Sequence, residues 1–138
     1  MNKREVLEFL NRNPVVYLAT IDEGKPRVRG MQLYRADEGG IVFQTSTPKD
    51  LQKQLERNPE VELCSFNPTE FKQVRVSGRV EQIQDESLKK EVVEKRPFLK
   101  PLVENQGLKA ITLWRIKNGK AIEWTMEMNF VPKSYVEL

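Results

Sequence analysis

The sequence predicts a mainly β, α+β fold: a barrel-like domain of six or seven mostly antiparallel strands with two or three short helices. Three observations lead there. Runs of β-branched and aromatic residues recur between short turn signals. Helical spacing is confined to the opening residues, a stretch after Pro48 and one after Asp85. No repeat, linker or low-complexity tract interrupts the 138 residues, which gives a single domain over 1–138.

The elements follow in order. Asn2 with Glu5 is a capping pattern, Val6, Leu7, Phe9 and Leu10 share a helical face, and Asn13-Pro14 stops the helix. Val15 to Ile21 reads as a strand, Asp22 to Lys25 as a turn, and Pro26 to Tyr34 as the return strand. Ala36 to Gly40 is a second turn and Ile41 to Thr45 a third strand. Thr47 is a candidate N-cap with Pro48 at the first helical position, and Leu51 and Leu55 supply the buried face. Val61 to Phe66 is a fourth strand. Phe71 to Ile83 alternates Val74, Val76 and Val80 with polar neighbours, the pattern of a long half-buried strand. Asp85 to Lys95 is helical, Arg96-Pro97 breaks it, and Phe98 to Gln106 reads as a loop with a short turn. Ala110 to Ile116 and Lys120 to Met126 are expected to form a hairpin around Asn118-Gly119. Asn129 to Leu138 is a tail without a period.

Residue counts exclude much chemistry. The chain has no histidine, which removes Ser-His-Asp and Cys-His nucleophiles, His-ligated zinc and His-ligated haem. Its one cysteine, Cys64, forms neither an internal disulfide nor a multi-thiolate site, and in its apolar strand is expected to be inert. An enzyme made from this chain therefore points to a bound cofactor. With 23 basic and 20 acidic residues interspersed, net +3, a nucleic-acid-binding barrel is the weakest reading. No apolar run reaches membrane-spanning length, and the polar Met1 to Glu5 is no secretory signal, so a cytoplasmic setting is expected.

One constellation carries chemistry. Arg27 and Arg29 alternate on a strand and share a face; Gly30 follows, a residue that allows a flat ligand to approach the backbone closely. Gln44-Thr45-Ser46-Thr47 ends a strand and enters a helix that carries Lys49 and, a turn on, Lys53. Cations, hydroxyls and helix N–H groups at one strand-to-helix junction suit a phosphate. Alternating arginines on a strand are usually just a solvated face, and Ser-Thr-Pro usually just a cap.

The ordered set Tyr17-Leu18-Ala19-Thr20, Gly24-Lys25-Pro26-Arg27-Val28-Arg29, Val42-Phe43-Gln44-Thr45-Ser46, Lys49-Asp50, Lys53-Gln54-Leu55, Asn58-Pro59-Glu60-Val61-Glu62-Leu63 and Gln73-Val74-Arg75-Val76-Ser77-Gly78 resembles the FMN-binding split β-barrel proteins related to pyridoxamine 5′-phosphate oxidase. It covers residues 3–84 well and the rest more loosely. The resemblance implies a split β-barrel, FMN as cofactor, and a homodimer with flavin sites between the protomers. It implies that Arg29 grips the phosphate and that Gly30, Met31 and Gln32 lie along the isoalloxazine. It gives Gln44 and Thr45 to the ring and ribityl chain, Ser46, Lys49 and more weakly Lys53 to the phosphate turn, and Gln73 to the flavin edge across the dimer.

The departures matter as much. Tyr34 stands where the oxidase has a lysine, Asp50 and Leu51 where it has an Arg-Lys pair, and Ile122 to Met126 replaces its Arg-x-His motif. Oxidation of pyridoxamine phosphate is therefore not expected. The nearer resemblance is to small flavin or nitroimidazole reductases, which pass hydride or electrons from a small-molecule donor to a small acceptor. The alternative is a non-catalytic flavin-binding or electron-relay module, or a version of it holding a deazaflavin or haem. Proton delivery would fall to Tyr34 or a water. Trp114 and Trp124 could stack on a ligand, although core or interface anchors are the commoner role. Met126 and Met128 near Phe130 read as gap fillers, Glu91, Glu94 and Lys95 as a solvated helix face, and the tail could fold over the flavin or the partner.

Overall fold

Asn2 opens the chain's first helix as expected: its side chain accepts from the Glu5 amide at 2.9 Å while Glu5 reaches back to the Asn2 amide, a full capping box. The computed structural model describes residues 1–138. It holds α1 (Lys3–Arg12), β1 (Val15–Asp22), β2 (Lys25–Gln32), β3 (Arg35–Asp37), β4 (Gly40–Ser46), α2 (Asp50–Arg57), β5 (Glu60–Asn67), β6 (Lys72–Ile83), α3 (Glu86–Lys95), α4 (Lys100–Gln106), β7 (Ile111–Ile116), β8 (Lys120–Trp124) and β9 (Val136–Glu137). All strand pairs are antiparallel.

The split barrel turns on the length of β6. The strand order is β2-β1-β5-β6-β7-β4-β3, with β8 also on β6 and β9 on β8. Residues 73–77 of β6 pair with β8, and residues 80–83 with β7. One twelve-residue strand thus belongs to two sheets. The Val6, Phe9 and Leu10 face of α1 packs into the core with Val16, Leu18, Leu63, Val74 and Val76, all 1% exposed or less. Along β1 odd positions face outward and even ones inward.

Four expectations need correction. The strands number nine rather than six or seven, because Arg35–Asp37 and Val136–Glu137 pair as short edges. Ala36 is held there by the Asn11 side chain, which bonds both its carbonyl at 2.7 Å and its amide at 2.9 Å, so part of the predicted turn is strand. Residues 100–106 form a helix where a loop was expected. Helix α2 starts two residues later than predicted, with Lys49 at the cap position and no side-chain cap bond, so Thr47 does not cap it.

The fourth correction is topological. β7 and β8 are not a hairpin. Both run antiparallel to β6, one beyond the other, so residues 117–119 carry the chain onward from one sheet to the next. Those three residues lie opposite two, 78–79, which makes the crossing a bulge. Asn118 takes a positive φ of 58° there, a conformation asparagine tolerates. The Asn-Gly pair marks a local kink, and the partner of each flanking strand is set by β6.

Candidate functional site

Helix α2 is docked by two buried glutamines that periodicity did not single out. Gln52 Oε1 accepts from Thr112 Oγ1 at 2.6 Å and from the Trp114 indole at 3.0 Å, tying the helix to β7. Trp114 is thus a core anchor, 5% exposed. Gln54 Oε1 accepts from Thr20 Oγ1 at 2.6 Å and from Arg29 Nη2, tying it to β1 and β2. Arg29 Nη1 donates to Thr20 Oγ1 at 2.8 Å and to the Leu18 carbonyl at 3.1 Å. The guanidinium is therefore locked in a ring of Thr20 and Gln54. Three of its five N–H donors are engaged, and two remain for a ligand.

Above this ring lies a cleft of about 1060 Å³ between β2, the end of β4, the start of α2 and the residues after α3. Its wall holds Arg27, Arg29, Lys49, Lys53, Arg57 and Arg96 against Asp22 and Asp50. Asp22 is shared between Arg27 at 3.8 Å and Arg57 at 3.9 Å. Burial pulls the Arg29 pKa below its ordinary value, and the Asp50 charge opposes that shift; a guanidinium remains charged regardless. The cleft wall thus carries a net positive charge.

Of the residues predicted for a site, Arg27, Arg29, Gly30, Met31 and Gln32 line this cleft from β2. Gln44 and Thr45 line it from β4, and Lys49 and Lys53 from the α2 end. β2 is an edge strand paired only to β1, so one row of its backbone polar groups faces away from the sheet. A side chain at Gly30 would meet only Tyr17, at 3.7 Å, so packing within the chain does not demand glycine there. Thr45 is 3% exposed and its hydroxyl has no hydrogen-bond partner, an unusual state for a buried donor.

Ser46 and Gln73 lie outside the cleft. Ser46 is 5% exposed and sits in the ladder opposite Ile111. Gln73 stands on β6 opposite Trp124, accepting from the Cys64 thiol at 3.4 Å. Burial raises the Cys64 pKa, in keeping with an inert thiol. Tyr34 also stands outside: its hydroxyl donates to Glu91 at 2.5 Å, so Glu91 is not merely a solvated face. Arg96, read from the sequence only as a helix stop, was missed. It donates to Gln44 Oε1 and, at 2.9 Å, to the Leu33 carbonyl, and lies 5.3 Å over the Tyr34 ring. Exposed Phe98 follows it at the rim. No local pattern distinguishes such an arginine, because its partners are 52 and 63 positions away.

The family model described as pyridoxamine 5′-phosphate oxidase matches residues 3–124. The chain belongs to this family. The match runs well past the stretch over which the resemblance was clear. The Pseudomonas putida (strain GB-1) pyridoxine/pyridoxamine 5′-phosphate oxidase is 40% identical over 67 residues, 48% of this chain and 31% of that protein. The Burkholderia mallei (strain SAVP1) oxidase is 39% identical over 70 residues, 50% of this chain and 33% of that protein. The chain thus aligns with about a third of the length of these curated relatives. Among solved structures, a NimC/NimA family protein from Clostridium acetobutylicum superposes with a TM-score of 0.79 at 24% identity, covering 98% of this chain and 92% of that one. A pyridoxamine 5′-phosphate oxidase-related, FMN-binding protein from Nostoc punctiforme gives 0.65 at 16%, covering 96% and 87%. The haem storage protein HutZ from Vibrio cholerae gives 0.60 at 21%, covering 85% and 90%. At these identities the structures establish the split-barrel fold, and the fold houses more than one ligand. No helix is long and apolar enough to cross a membrane.

Proposed function

We propose that the cleft binds FMN and that the chain is a flavoprotein oxidoreductase acting on a small acceptor, distinct from the oxidase that names its family. The observation that carries this reading is the locked Arg29 beside Lys49 and Lys53, with Thr45, whose buried hydroxyl has no partner, lining the same cleft. A phosphomonoester suits the cations, and Thr45 supplies a buried polar group that lacks a mate within the chain. When bound, FMN supplies the redox chemistry, accepting and passing on hydride or electrons.

The chain's own residues bind and orient. Arg29 offers a guanidinium already fixed by Thr20 and Gln54, so little side-chain entropy is lost on binding. Lys49 and Lys53 neutralise charge at the α2 end. The free edge of β2 at Gly30 to Gln32 offers backbone groups to a flat ring. Arg96 holds Gln44 in place at the other end. Tyr34, engaged by Glu91 and outside the cleft, is not positioned to deliver a proton; that role falls to water. With no histidine present, oxidation of pyridoxamine phosphate is not expected.

The same poverty of general acids favours the second reading, a flavin-binding or relay protein without turnover. The remaining acidic side chains on the wall are Asp50 and the paired Asp22. Titration of the protein with FMN, followed by flavin fluorescence, tests the shared part: micromolar binding, with riboflavin much weaker, is expected. Equal affinity for riboflavin would remove the phosphate cradle. Mixing the loaded protein with NADH and with NADPH then separates the readings, because bleaching of flavin absorbance marks a reductase.

A further inference from the structure

A second cavity, of about 370 Å³, lies away from the cationic cleft between β6, β8 and the C-terminal tail. On its floor is Arg75, opposite Ile122 in the ladder. Arg75 Nε is buried and has no hydrogen-bond partner. A buried N–H without a mate is costly and uncommon in a folded chain. The flanking walls are apolar: Ile122 and Trp124 from β8, Met128 and Val131 from the tail. The tail is tethered on both sides of the cavity. Asn129 accepts from the Trp124 indole at 2.9 Å, and Val136 pairs with Ala121 in β9.

We propose that this cavity is a binding site for a small monoanionic carboxylate with a flat apolar body. Arg75 receives the carboxylate, and Trp124 and Met128 receive the body. Glu123 also lines the cavity, and its carboxylate is taken up by Lys72 at 3.3 Å and by the amino terminus at 3.6 Å. That leaves Arg75 and Lys133 to meet the ligand's carboxylate. The size falls at the lower end of the range for small-molecule sites, about 300–1,000 Å³. None of its residues lines the Arg29 cleft of the same chain, so the two sites are probed by separate variants.

Calorimetric titration of the full chain with benzoate, and in parallel with uncharged benzamide, tests it. Benzoate is expected to bind at least ten-fold more tightly than benzamide. Arg75→Gln should lower benzoate affinity at least ten-fold, and Val131→Trp, a substitution in the tail that fills the cavity, should do the same. Arg29→Gln should leave benzoate binding unchanged. Equal affinity for the two probes overturns the proposal, as does full benzoate binding by a folded Val131→Trp variant. Loss of benzoate binding in Arg29→Gln would assign the anion to the flavin cleft and equally overturn it. Failure of FMN to bind leaves these results untouched.

Discussion

Arg29 owes its orientation to the side chains that hold it. Its contacts to Thr20 and Gln54 direct the guanidinium without neutralising it, since both partners are uncharged. Arg29→Ala removes a charge-assisted contact of about 1.5–3 kcal/mol, so FMN affinity should fall about ten-fold or more in a fluorescence titration. Gln54→Leu tests the support separately. It keeps the charge and the helix but frees the arginine, so affinity should fall by a smaller factor while the variant stays folded. If Gln54→Leu binds FMN as tightly as the parent, pre-organisation plays no part. Tyr34 gives a pH signature. Burial, with the hydrogen bond and charge of Glu91 behind it, raises its pKa above the ordinary value of about 10. The folded state therefore favours the neutral phenol, and that contribution is complete below the ordinary value and lost as pH rises through the folded one. The urea midpoint should drop more steeply above about pH 10 in the parent than in Tyr34→Phe. Matching slopes would show that Tyr34 is not coupled to folding. The cradle was legible in sequence because Arg27, Arg29, Lys49 and Lys53 are polar residues clustered around one strand-to-helix junction. Gln54 and Arg96 were not legible, since what makes each important is a partner remote along the chain.

The bulge at 117–119 shows how a local signal misleads about an element's partner. Asn118-Gly119 has the chemistry of a tight hairpin turn, yet the long β6 strand gives β7 and β8 a continuous edge on which to pair one after the other. A strand pair is chosen by buried area across many residues, and a turn dipeptide alone cannot outweigh it. The crossing is tight. A Cβ at Gly78 would sit 2.9 Å from Ile116 Cγ2 and 3.2 Å from the Gly119 backbone, which has no rotamer by which to yield. Gly78→Ala should therefore destabilise by about 1–3 kcal/mol, the usual range for overpacking. Gly30→Ala is the control: its new methyl makes ordinary contact with Tyr17, and its stability should stay within about 0.5 kcal/mol of the parent. Urea melts of the two variants check this, and equal losses would place the strain elsewhere. Elements with strong period and clear ends, α1, β1, β6 and α3, were readable within a residue or two. Short edges such as β3 and β9 were not, because three or two residues carry no period, and Ala36 is held by a side chain from α1.

The outer face of β1 and β2 bears on how the protein assembles. Val15, Tyr17 and Val28 are 60%, 56% and 69% exposed, and Ile21 is 39% exposed beside them. The register puts Tyr17 opposite Gly30 and Ile21 opposite Pro26, with Val28 opposite Ala19, so these side chains form one continuous apolar sheet face. A patch of that kind on an edge-bearing sheet is a surface that profits from cover. We propose that a second copy of the chain supplies this cover, an arrangement that would also account for Gln73. On its own chain Gln73 lies outside the cleft, so it can serve a flavin only in a partner's cleft. Two consequences follow together from this arrangement. The protein should sediment as a dimer at micromolar concentration, and Val28→Asp should shift it to monomer, because a carboxylate buried in that face would lack a partner. The same variant should also bind FMN more weakly, although Val28 does not line the cleft and its substitution leaves Arg29 in place. A parent that sediments as a monomer would refute the assembly. A monomeric Val28→Asp with undiminished FMN affinity would instead separate the two claims, leaving each cleft complete within one chain and Gln73 without a part in it.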